Sequence, residues 1–115
     1  NLNKNFAKVY LIKNCGQKLF VNLIRYSKFI IGNSSAGIVE TSFLKKTSIN
    51  IGTRQLGKII PKNVINVDWN EKKILKKIND IIYKNKNMTL NHANNPYRQK
   101  INVQNIVKLI SNINL

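Results

Sequence analysis

Apolar positions along the 115-residue chain fall into short runs and longer amphipathic stretches that alternate. Residues 7–12 (AKVYLI) are apolar, β-branched or aromatic and stop at Asn14 and Gly16, which predicts a strand and a turn. In residues 16–27, Leu19, Phe20, Leu23 and Ile24 share one side while Lys18, Asn22 and Arg25 take the other, the spacing of an amphipathic helix. A second strand is predicted over 28–31 (KFII), followed by the Gly-Ser segment GNSSAG and a short helix in IVETSFLKK. Residues 48–51 (SINI) and 63–67 (NVINV) read as a third and fourth strand. Between them lies a loop holding Gly52, Thr53, Arg54, Gln55 and Gly57, with Pro61 just before the fourth strand.

Asp68 and Asn70 are N-cap candidates for a helix over 71–84, where Ile74, Leu75, Ile78, Ile81 and Ile82 form the apolar face. After a polar stretch, Val103, Ile106, Val107 and Ile110 mark a last amphipathic helix. Strands alternating with helices at this interval imply right-handed βαβ units and a parallel sheet. The expected fold is therefore α/β: a Rossmann-like parallel sheet with flanking helices, as one domain over residues 1–115.

Composition modifies this picture only where it bears on partners. Asn (20), Ile (18) and Lys (17) make up nearly half the chain, and the formal net charge is +16, from 20 basic and 4 acidic residues. Such a charge ordinarily points to a polyanion. Here a chain-wide bias toward Lys and Asn accounts for it equally well, and the run Lys72, Lys73, Lys76 and Lys77 lies opposite the apolar helix face without interleaved aromatics. Nucleic acid is thus not the expected partner, and a small basic nucleic-acid-binding module is the alternative from another class.

One cysteine, Cys15, can form neither an internal disulfide nor a zinc cluster, which fits a cytoplasmic protein. No apolar run approaches the roughly 18–20 residues needed to span a bilayer, so no membrane role is expected. The sequence opens without Met or a signal peptide, and it is expected to be a piece of a longer protein.

In open parallel sheets, ligands bind where strand carboxyl ends lead into helix starts. The segment KFIIGNSSAGIVE has that form. Unpaired N–H groups at a helix start, with the hydroxyls of Ser34 and Ser35, suit a phosphate, and Gly32, Ala36 and Gly37 let it approach closely. The competing reading is that Asn33 or Ser34 merely caps the helix.

Glu40, six residues beyond Ser34, stands where a carboxylate could accept both ribose hydroxyls, or is a solvated surface glutamate. Arg54, between Gly52 and Gly57, could clamp a diphosphate bidentately. The Gly-Lys-Ser/Thr phosphate loop and the Gly-x-Gly-x-x-Gly fingerprint are both absent, which disfavours a nucleoside triphosphatase or an NAD site. His92 reads as a surface residue. Trp69 either stacks on a base or covers the start of the next helix.

The run FIIGNSSAGIVET, then SINIGTRQLGK and NVINV, resembles the C-terminal half of UDP-N-acetylglucosamine 2-epimerases. The likeness is greatest to the UDP-hydrolysing branch of sialic-acid and related nonulosonic-acid pathways, and it extends through NPY to IVKLI. It implies a two-domain GT-B-type fold of which this chain is the C-terminal, UDP-holding half. By the same resemblance Ser34 and Ser35 bind phosphate, Glu40 binds ribose and Arg54 approaches the phosphates. Asn33, Gly37 and Gln55, within the same two motifs, complete the expected UDP-binding set.

The implied reaction removes UDP by anti elimination to a 2-acetamidoglucal and adds water to give N-acetylmannosamine, with no cofactor and no metal. Its proton-transfer groups belong to the N-terminal half, so no catalytic residue is expected in this chain. The implied partners are a UDP-sugar, that N-terminal domain and, in the full enzyme, a further copy in a homo-oligomer. A non-hydrolysing 2-epimerase or another GT-B UDP-sugar enzyme is the alternative reading. One departure stands out: after NPY the family continues Gly-Asp-Gly-Asn-Ala, whereas this chain has Arg98, Gln99, Lys100, Ile101 and Asn102.

Overall fold

A computed structural model of the chain describes residues 8–84, 94–98 and 103–113. Three parallel strands, β1 (Ile30–Gly32), β2 (Ser48–Ile51) and β3 (Val64–Val67), lie in the order β1-β2-β3. The helices are α1 (Gly16–Tyr26), α2 (Val39–Phe43), α3 (Glu71–Tyr83) and α4 (Val103–Ser111), and one 3₁₀ turn, Ser35–Gly37, precedes α2. This is the Rossmann-like α/β fold expected from the alternation of strands and helices.

Register explains which face of the sheet is apolar. Ile31 pairs with Ile49 and Ile49 with Ile65, while Ile51 pairs with Val67, so these side chains project from one face. Helix α3 covers that face. Ile49, Val67 and Ile81 form its buried centre, with Phe29, Ile51, Ile65, Ile74 and Ile78 packed around them. Asn70 caps α3, its side-chain oxygen accepting from the Lys73 N–H at 3.0 Å. Of the two cap candidates Asn70 is thus the cap, and Asn70→Ala is expected to cost about 1 kcal/mol, read from the urea midpoint.

The opposite face is mixed, with Ser48, Asn50 and Val64 buried and Asn66 exposed. Gly37 sits so close to β2 that a Cβ there would lie 2.9 Å from Ser48 Oγ, so the 3₁₀ turn packs directly on the strand. Asn63, fully buried, donates to Lys46 O at 2.8 Å and to Thr41 Oγ1 at 3.2 Å, and Thr41 Oγ1 donates to Gly37 O at 2.8 Å. These bonds fasten the end of the loop before β3 to the crossover between β1 and β2.

One expectation is corrected. Residues 8–12 form no strand, and Val9, Tyr10 and Leu11 are 88%, 76% and 97% exposed. A strand exists only where a neighbour takes its backbone hydrogen bonds, and among the described residues the sheet pairing ends at β1, with three strands rather than four. The short helix expected in IVETSFLKK forms as the five residues of α2, and the 3₁₀ turn Ser35–Gly37 within GNSSAG leads into it. The last helix forms as α4, yet none of its residues is buried. His92, most of the polar stretch, and Gln99, Lys100, Ile101 and Asn102 lie outside the described residues.

Candidate functional site

The carboxyl ends of β1 and β2 deliver two loops to one end of the sheet. The loop after β1 carries Asn33, Ser34 and Ser35, and the loop after β2 carries Thr53, Arg54 and Gln55. Gln55 joins them: its Nε2 donates to Asn33 O at 2.6 Å, across 22 residues of sequence. Gln55 is itself only 4% exposed, so it braces the loops rather than presenting an open side chain.

Ser34 has extended backbone and caps the 3₁₀ turn, its Oγ accepting from the Ala36 N–H at 3.3 Å. The capping reading is therefore correct as local structure. It does not consume the hydroxyl, which still has its own proton to donate. Ser35 is exposed beside it, and Gly37 is buried against β2. Because α2 has only five residues, its dipole adds little here, and anion affinity at this point falls to hydroxyls and loop N–H groups.

Glu40 lies half-buried in the first turn of α2, and its carboxylate has no hydrogen-bond or ion-pair partner among the described residues. Arg54 is exposed and equally without a partner among the described residues, so the two are not paired with each other. Two unpaired charges of opposite sign in neighbouring motifs leave both free to meet a ligand.

Trp69 follows β3, and its indole lies over Gly52, whose φ of 75° and missing Cβ permit that approach. The Gly52 N–H donates to Val67 O at 2.8 Å and extends the ladder one residue past β2. Beside this contact is a pocket of about 510 Å³ between the 52–60 loop, the end of β3 and α3. Asn50, Gln55, Asn66, Lys73, Lys76 and Lys77 are among its walls, whereas Ser34, Ser35, Glu40 and Arg54 are not.

The sequence reading missed this pocket. Its nearest signal was a polar residue at matched positions near two strand ends, Asn50 opposite Asn66, which donate and accept one bond at 2.8 Å. The lysine run, read as a solvated helix face, is exposed at Lys72, Lys73 and Lys76 and also places three of its members at the pocket.

At the same rim Lys73 Nζ bonds Asp68 Oδ2 at 2.6 Å. That hydrogen bond, and then the charge of Lys73, hold the Asp68 carboxyl below the ordinary aspartate range. Since the folded pKa is depressed, the pair supports the fold above the unfolded-state pKa and is lost as pH falls through the folded one. In an NMR titration, Lys73→Met is expected to return Asp68 to the ordinary value. No three His, Cys, Asp or Glu side chains gather to hold a metal among the described residues, and none of the described helices is long and apolar enough to cross a membrane.

Fold and geometry define a Rossmann-like α/β domain with its candidate site at the strand carboxyl ends. Comparison with known proteins narrows this further. The chain belongs to the UDP-N-acetylglucosamine 2-epimerase family, whose model matches residues 1–111. It is 41% identical to the Campylobacter jejuni GDP/UDP-N,N'-diacetylbacillosamine 2-epimerase (hydrolyzing), over 59% of this chain and 18% of that protein. To the Escherichia coli polysialic acid biosynthesis protein P7 it is 33% identical, over 93% of this chain and 28% of the relative. A UDP-N-acetylglucosamine 2-epimerase of Neisseria meningitidis serogroup B is 42% identical over 48% of this chain and 15% of its own length. The aligned part of the chain thus spans between 15% and 28% of these relatives. No solved structure matches it. The family membership agrees with the resemblance carried by the GNSSAGIVE and NIGTRQLGK motifs.

Proposed function

We propose that this chain is the UDP-binding, C-terminal half of a hydrolysing UDP-N-acetylglucosamine 2-epimerase of GT-B type, working with an N-terminal domain of the same protein. One observation carries the reading: the Gln55–Asn33 bond sets the two family motifs side by side at the strand ends, with Arg54 exposed in one of them.

In this assignment the Ser34 and Ser35 hydroxyls donate to phosphate oxygens, and the Arg54 guanidinium meets the diphosphate as a two-pronged donor. Glu40 accepts from the two ribose hydroxyls. Asn33 and Gly37 shape the loop around the phosphates, while Gln55 holds that loop in register with the one that bears Arg54.

Elimination of UDP breaks the bond between the sugar C1 and the phosphate oxygen, so negative charge grows on the departing diphosphate. Donors already aimed at that charge lower the barrier without reorganising. The C2 proton is handled by the N-terminal half, and this chain contributes the grip on the leaving group.

Product analysis tests the proposal. The intact protein incubated with UDP-N-acetylglucosamine is expected to release UDP and free N-acetylmannosamine, resolved by NMR. UDP-N-acetylmannosamine as product would make it a non-hydrolysing epimerase. Absence of any change in the sugar nucleotide would overturn the assignment.

A further inference from the structure

We propose that the pocket between the 52–60 loop, the end of β3 and α3 is a second binding site, taking a hydroxylated anion of monosaccharide size, a sugar acid or a sugar phosphate. Its volume, about 510 Å³, falls within the ordinary range of small-molecule sites.

The pocket makes two separate chemical demands. Asn50 and Gln55 both line it and both are only 4% exposed. Each amide NH₂ donates one bond within the protein, to Asn66 Oδ1 at 2.8 Å and Asn33 O at 2.6 Å. That leaves Asn50 Oδ1 and Gln55 Oε1 buried without a donor. A buried acceptor left unpaired is costly, and hydroxyl or amide N–H groups of a ligand are what it lacks.

The lining also asks for negative charge. Lys58, Lys76 and Lys77 belong to it, and Lys77 is only half-exposed. Asp68, the one acid among the lining residues, is already neutralised by Lys73. A cation is therefore disfavoured. No aromatic side chain lines the pocket to stack on a base, so a nucleotide is a poorer match than a sugar bearing a carboxylate or phosphate. The proposed UDP-contacting groups Ser34, Ser35, Glu40 and Arg54 lie outside the lining; the brace Gln55 is shared between the two sites, but the ligand proposed here is a second one and does not rest on UDP binding.

Calorimetric titration of the intact protein tests the idea, with D-glucuronate and D-glucose 6-phosphate as probes, and D-glucose and inorganic phosphate supplying each half of the chemistry alone. At least one hydroxylated anion is expected to bind saturably, with UDP present or absent, and more tightly than glucose or phosphate. Which of the two binds decides between a sugar acid and a sugar phosphate. The double variant Lys76→Ala, Lys77→Ala is expected to weaken it about tenfold. Lys72→Ala, on the same helix but outside the pocket lining, is expected to leave it unchanged. The proposal is overturned if neither probe binds, if inorganic phosphate binds as tightly, if UDP displaces the probe, or if Lys72→Ala weakens binding as much as the double variant.

Discussion

Ile49→Ala is expected to destabilise the fold by about 3 kcal/mol, the largest stability effect of any change considered for this chain. Ile49 is fully buried at the centre of β2, between β1 and β3, and packs with Val67 and Ile81. Removing three carbons there subtracts their transfer free energy and leaves a void that strands on both sides cannot collapse into. Urea denaturation followed by circular dichroism measures it, as a lower midpoint at an unchanged slope. Ile59→Ala, at a site 66% exposed, is the control and is expected to shift stability by less than about 0.5 kcal/mol.

Arg54→Ala is expected to lower the affinity of the intact protein for UDP by about 10- to 100-fold, the cost of one charge-assisted pair of hydrogen bonds. The side chain is exposed and has no partner among the described residues, so its removal should leave the melting temperature unchanged. Arg54→Lys keeps the charge but loses the planar fork, and an intermediate affinity is expected. Equal losses for Lys and Ala would mean that two-pronged geometry, not charge, supplies the binding.

Much of this fold could be read from local pattern. SINI and NVINV became β2 and β3 because short β-branched runs between turn residues have few alternatives, and α3 followed from the spacing of Ile74, Ile78 and Ile81. Residues 8–12 have the same local character and form no strand, since pairing depends on a neighbour that local pattern does not contain. The short helix after GNSSAG was legible from its spacing, but not the 3₁₀ turn over Ser35–Gly37 that leads into it.

The site divides in the same way. Ser34, Ser35, Glu40 and Arg54 stood out because they lie in compact motifs at predicted strand ends. The brace between Gln55 and Asn33 spans 22 residues, and the Asn50–Asn66 pair spans 16. Such bonds depend on sheet register and become visible only in three dimensions. The lysines of α3 showed their helical face in the sequence, but not that the 52–60 loop lies against it to make a pocket.

The central claim is that this chain grips UDP through the two loops joined by Gln55. Titrating UDP into the intact protein, alongside its Glu40→Ala variant and a Ser34→Ala, Ser35→Ala double variant, tests it most directly. Saturable binding that each variant weakens at least about tenfold, with folding unchanged, is the predicted result. UDP binding of equal strength in all three proteins, or no UDP binding by the intact protein, would contradict it.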